Sequence, residues 1–234
     1  MQLAELHRQP ENADLLTAWL VQHGTEAEVL DLYNELLRRA AAEGDRAQLV
    51  QLLACGAEVD GAGADGSTAL QLAAEYQQLG ALEILVGAGA DVDACDDNGL
   101  TPLLLAVSSH DNGGADGDVE GVVRALLAEG AVVDAVDDDG QSALMAAASE
   151  GRTALAQLLL EAGADWRGVY RSFAETYPEY LPGPNDNHMG LAHGLDGASA
   201  LSLAKAGGHS ETAIVLESWV STEEKQKHTT TPPP

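Results

Sequence analysis

Glycines recur along this chain at intervals that admit very few folds. Gly66 to Gly89 and Gly140 to Gly163 each span 23 positions, while Gly56 to Gly66, Gly89 to Gly99 and Gly130 to Gly140 each span 10, which sets a period of 33. A fixed period of this size marks a stacked array of short units, none of which buries its apolar face alone. Two intervals are longer: Gly99 to Gly130 is 31, eight beyond the rule, and Gly163 to Gly197 is 34, which is 24 beyond its own. The array therefore carries two insertions, near residues 110–118 and 168–191.

The stretch from Gly140 to Asp165, GQSALMAAASEGRTALAQLLLEAGAD, shows what one unit contains. Ser142 is placed to cap a helix by accepting a hydrogen bond from a free N–H of its first turn. Ala143 to Ala148 makes a small-residue helix and Gly151 a turn; Leu155, Leu158, Leu159 and Leu160 lie on a second, leucine-rich helix ended by Gly163. Ala73, Ala74, Ala106, Ala146, Ala147 and Ala204 fall on the first helix of their pairs, where small side chains let neighbouring helices approach closely. Leu52, Leu85, Leu126 and Leu159 fall on the second, where stacking buries them.

The first-helix openings are Thr68-Ala69-Leu70-Gln71, Thr101-Pro102-Leu103-Leu104, Ser142-Ala143-Leu144-Met145 and Ser199-Ala200-Leu201-Ser202. They resemble the Thr-Pro-Leu-His tetrapeptide of the ankyrin repeat family, and Gly89-Ala90-Asp91-Val92-Asp93 resembles that family's unit terminus, with looser versions at Gly56, Gly130 and Gly163. The resemblance covers roughly residues 33–220. It implies an all-α ankyrin-repeat solenoid of about five helix-turn-helix repeats, with short hairpin fingers linking them beside a concave groove. One departure is plain: Gln71, Leu104, Met145 and Ser202 replace the family's histidine. That removes the ring's inter-repeat hydrogen bond and puts local stability, not the fold, in question.

The ends lie outside the repeat. Residues 1–32 read as an N-terminal helical cap, with Leu15, Leu16, Trp19 and Leu20 at helical spacing and Gly24 as a stop. Thr25 and Glu28 form a capping box for a helix that runs on into the first repeat. The last unit, to Val220, is expected to cap the other end with Trp219 over the final apolar face, and residues 221–234 are expected to be a disordered tail.

Net charge is −27, from 38 acidic and 11 basic residues. Nucleic acid and anionic membrane are disfavoured as ligands, since binding phosphate needs clustered Lys and Arg. Cys55 and Cys95 have no metal-ligand spacing and read as free thiols of a reducing compartment. With no leader sequence or long apolar run apparent, a cytoplasmic protein is expected, monomeric when free.

Three finger segments, 56–66, 89–99 and 130–140, hold 11 carboxylates and no Lys or Arg. Units about 10 Å apart would join them into a negative strip, with Asp93, Asp96, Asp97, Asp134, Asp137, Asp138 and Asp139 as candidate partner-binding residues. Turn chemistry is the competing use of these aspartates. The second insertion concentrates aromatic residues: Tyr170, Phe173, Tyr177 and Tyr180, with Trp166 just ahead. Aromatic side chains anchor interfaces because they bury large area at low entropic cost.

No nucleophile elbow, phosphate loop or metal cluster is visible, and no cofactor is expected; His188 and His193 lack a third ligand. The expectation is a non-enzymatic module that binds a basic protein partner, in its sharpest form a bacterial immunity protein or antitoxin neutralising a toxin. The alternative is a general scaffold or adaptor that binds peptides, with the charge serving solubility.

Overall fold

Each helix pair begins where a hydroxyl residue can satisfy an unpaired N–H. Thr68 and Thr101 accept from the Gln71 and Leu104 amides at 3.3 Å, and Ser142 and Ser199 from Met145 and Ser202 at 3.4 Å. The computed structural model describes residues 25–109, 118–167 and 199–229, and its regular elements there are helices. They form five pairs: α1 (Glu26–Glu43) with α2 (Arg46–Ala54), α3 (Ala69–Glu75) with α4 (Leu79–Gly87), α5 (Pro102–Ser108) with α6 (Val119–Ala128), α7 (Ala143–Ser149) with α8 (Thr153–Glu161), and α9 (Ala200–Ala206) with α10 (Ser210–Thr229). The capping box at the start of α1 is present, with Thr25 N donating to Glu28 Oε2 at 2.9 Å and Glu28 N to Thr25 Oγ1 at 3.3 Å. That helix is continuous from Glu26 into the first repeat. The N-terminal cap segment up to Gly24 lies outside the described residues.

The odd-numbered helices pack in succession as one row and the even-numbered helices as a second. Alanines line the first: Ala73, Ala74, Ala106, Ala147 and Ala204 have no exposed surface. Small contacts bring helix axes towards the short end of the range, about 8 Å. The second row is filled by Leu85, Leu126 and Leu159, also fully buried, each contributing about 2 kcal/mol on burial. Despite the long second insertion, α9 packs on α7 and α10 on α8, so the fifth pair continues the stack. The Thr153 and Thr212 hydroxyls meet at 2.8 Å across that last junction.

Polar links join neighbouring pairs along the edge where the two helices of a pair turn. Gln78 Nε2 donates to Ala42 O at 3.2 Å, Arg152 Nη2 donates to Ser109 O, and His209 Nε2 lies 2.9 Å from Ser149 O. A second set of links replaces the missing histidine. Arg38 Nη1 donates to Gly61 O at 3.3 Å, and the fully buried Gln71 donates through Nε2 to Ala94 O at 3.1 Å and Leu100 O at 2.6 Å. Gln71 Oε1 also accepts from Thr68 N at 2.7 Å, which completes a capping box. The first two repeats thus recover the lost bond with other side chains. Leu104 and Met145 sit at the same place as buried apolar groups and make no such bond.

The fingers are tight hairpins: Gly63 N, Asp96 N and Asp137 N donate to Ser67 O, Leu100 O and Gln141 O at 2.8, 3.2 and 3.1 Å, and Val136 and Ser142 form an isolated bridge among the described residues. One detail differs from what the chain alone suggests. The terminal helix α10 extends to Thr229, so much of the tail expected to be disordered from Ser221 onward is helical. No Gly or Pro interrupts residues 221–229, and the first helix breaker is Pro232. Trp219 packs half-buried against the core, as a terminal cap requires.

Replacing Gln71 by leucine would leave the Thr68 amide and the Ala94 and Leu100 carbonyls without their buried partner. The expected loss is about 2 kcal/mol, read as a lower urea midpoint with unchanged slope.

Candidate partner-binding face

The finger aspartates divide into three kinds by what their oxygens do. Asp65, Asp96 and Asp137 close their own turns. Asp65 Oδ1 accepts from Ser67 N at 3.1 Å and Ser67 Oγ at 2.6 Å, Asp96 Oδ1 from Asn98 N and Leu100 N, both at 2.9 Å, and Asp137 Oδ1 from Asp139 N at 3.0 Å and Gln141 N at 2.8 Å. Asp60, Asp93 and Asp134 reach the next finger, accepting from Asp91 N at 3.0 Å, Val132 N at 2.8 Å and Asp165 N at 2.8 Å respectively.

Asp97 and Asp138 form the third kind. Their backbone amides donate to Asp65 O and Asn98 O at 3.1 Å, which lays each over the glycine of the finger before it. That close approach excludes a side chain there: a Cβ on Gly66 would lie 2.7 Å from Asp97 Oδ1, and one on Gly99 2.8 Å from Asp138 Oδ1. The carboxylates of Asp97, Asp138 and Asp139 are exposed and accept no hydrogen bond among the described residues. Of the seven acidic candidates, then, Asp93, Asp96, Asp134 and Asp137 each commit an oxygen to backbone, and Asp97, Asp138 and Asp139 do not.

Environment also separates residues that look alike in sequence. Hydrogen bonds from the Ser67 hydroxyl and amide hold the Asp65 carboxyl below its ordinary value. Burial pushes Asp137, which also closes its own turn, up, and the charges of Asp139 and Asp138 add to the shift. Glu75, at the last turn of α3, is half-buried and raised by burial, with Asp65 and Asp96 contributing. Both cysteines are free and exposed, and burial with the neighbouring aspartates raises the Cys95 thiol.

Trp166 stands in the fourth finger, half-buried against the core, with the Arg167 guanidinium 4.3 Å from its ring centroid. Part of this expected anchor is therefore already committed within the chain. Tyr170, Phe173, Tyr177 and Tyr180 lie outside the described residues, as do His188 and His193. Five exposed large apolar groups among the described residues were not picked out from sequence: Val50, Tyr76, Val132, Val136 and Ile214, of which Val132 and Val136, each about half exposed, lie in a finger. The repeat register held a signal for these two valines. Val132 stands where earlier fingers have Glu58 and Asp91, and Val136 where they have Ala62 and Cys95.

A family model of ankyrin repeats, in three copies, matches residues 37–115 and 114–168, more than half of the chain. The chain belongs to the ankyrin repeat family. Ankyrin repeats are protein–protein interaction modules and typically non-enzymatic, which implies protein partners. The fifth helix pair lies beyond the matched residues but stacks as a further ankyrin unit. No curated protein matches the chain. Among the described residues no group of His, Cys, Asp and Glu could hold a metal, and no helix is long and apolar enough to cross a membrane.

The opposite environments of Asp65 and Asp137 predict opposite pH effects. A raised folded-state pKa favours folding while the group is protonated, and that contribution is lost as pH rises through it; a lowered one contributes at higher pH and is lost as pH falls through it. Asp137→Asn should therefore raise the melting temperature at neutral pH, and the gain should vanish in acid. Asp65→Asn should lower it at neutral pH, with the loss vanishing in acid. Thermal melts across the carboxylate range check both signs.

Proposed function

We propose that the finger edge of this ankyrin protein binds one basic protein partner. Asp97, Asp138 and Asp139 supply the free carboxylates, and Asp93, Asp96, Asp134 and Asp137 frame them. Tyr170, Phe173, Tyr177 and Tyr180, together with Trp166, provide apolar anchors. The observation that carries this reading is the sorting of the finger aspartates. Of three segments without a single Lys or Arg, the second and third retain carboxylates that accept no hydrogen bond among the described residues. Such groups raise association rate and select partners by sign of charge. In its sharpest form the protein is a bacterial immunity protein or antitoxin that covers the basic active-site surface of a toxin. It acts in the cytoplasm without cofactor, nucleic acid or membrane, and is monomeric until it meets its partner.

An adaptor that binds several peptides is the second reading. It is favoured by the number of finger aspartates already engaged in holding the fold. The two differ in salt dependence and in the number of partners.

Affinity capture from native lysate at low salt, eluted by a salt step, separates them. A dedicated inhibitor should retain one basic protein, lost when Asp97, Asp138 and Asp139 are changed together to lysine and also when Tyr170, Phe173, Tyr177 and Tyr180 are changed to alanine. Several partners, indifferent to salt and to both variants, would establish the adaptor instead.

A further inference from the structure

One non-glycine residue among those described has positive φ. Gln77, between α3 and α4, sits at φ 57°, where three other pairs place Gly44, Gly151 and Gly208. An L side chain in that conformation costs energy, and such outliers persist where the surroundings gain something from the side chain. Gln77 is 1% exposed, and its Nε2 donates to Ser109 Oγ at 3.4 Å.

Ser109 ends α5, the first helix of the third repeat. The helix-ending residues in register with it, Tyr76 and Glu150, have ψ of 12° and −4°, but Ser109 has φ −66° and ψ 118°, an extended exit. It is held from both neighbouring repeats. Gln77 reaches its hydroxyl from one side, and on the other Arg152 donates to its carbonyl while pairing with Glu150 at 2.7 Å. Its hydroxyl also donates to Ala106 O at 3.0 Å, so both polar groups are engaged while the residue is buried. At the other two such junctions the carbonyl, Ala42 O or Ser149 O, receives one link, from Gln78 or His209, and the turn residue is glycine.

We infer that Gln77, Ser109 and Arg152 form a clamp that fixes the direction in which the chain exits the stack at the first insertion, with the strained backbone of Gln77 retained for its side chain. Without the clamp, the Ser109 hydroxyl would keep only its bond to Ala106 O, the carbonyl would lose its partner, and the end of α5 would fray. The clamp thus couples the second, third and fourth repeats at one residue.

Hydrogen exchange followed by mass spectrometry on the full chain tests this. Gln77→Gly removes both the strain and the side chain, Ser109→Ala the hydroxyl, and Ser109→Thr keeps a hydroxyl. The clamp predicts that Gln77→Gly and Ser109→Ala each speed exchange at the end of α5 and start of α6 by about tenfold, the effect of one lost buried hydrogen bond. The double variant should be no faster than the faster single one, and Ser109→Thr should stay near the parent. Slower or unchanged exchange there in Gln77→Gly would overturn the inference and leave Gln77 as a tolerated turn residue. Additive effects in the double variant, or equal loss in Ser109→Thr, would overturn it as well. A variant that loses protection throughout the chain instead of at this junction would count against it in the same way.

Discussion

Carboxylates of one finger hold the backbone amides of the next, and the arrangement of this surface follows from that. Asp60, Asp93 and Asp134 repeat the same bond along three successive fingers. A neutral acceptor could make it, but a carboxylate makes the stronger charge-assisted version. The bond fixes how far each finger is offset from its neighbour, and so brings Asp97 and Asp138 over Gly66 and Gly99. Structural and available charge are therefore interleaved in the second and third fingers. The acidity of the edge is partly a means of stacking and partly a surface left over for another molecule.

The opposite edge is organised by a different chemistry. There, a side-chain amide, a guanidinium and an imidazole reach back to carbonyls at the ends of the preceding first-row helices. Links on both edges limit sliding and tilting of neighbouring pairs, which an apolar contact between alanine-lined helices would resist only weakly. The substituted histidine position fits the same economy. Where the first two repeats need a donor towards a finger carbonyl, Arg38 and Gln71 provide one; where Leu104 and Met145 provide none, the fold relies on packing.

Much of this was legible from the chain. The period, the five hydroxyl or capping-box starts, the alanine and leucine rows and the half-buried Trp219 all follow from local patterns that repeat in register. The uses of individual aspartates were not legible, because Asp96 and Asp97 are adjacent and chemically identical, yet one closes a turn and the other faces solvent. Gln71 was read as a lost bond because a motif names residue types and not the atoms that reach a carbonyl. The helical extension to Thr229 was missed because polar composition was weighed over the lack of any helix breaker before Pro232.

Sequence alone determined the repeat, its period, its class of fold and its sign of charge, since each depends on residue type and spacing summed over many copies. Tertiary structure alone decided which carboxylates are free, which buried amides are satisfied, and why a glutamine occupies a glycine's conformation. Several of those depend on contacts between residues some 30 or more positions apart, such as Gln77 with Ser109 and Asp93 with Val132. A hydrogen bond needs its two atoms within about 3.5 Å, and no pattern along the chain specifies a distance across it.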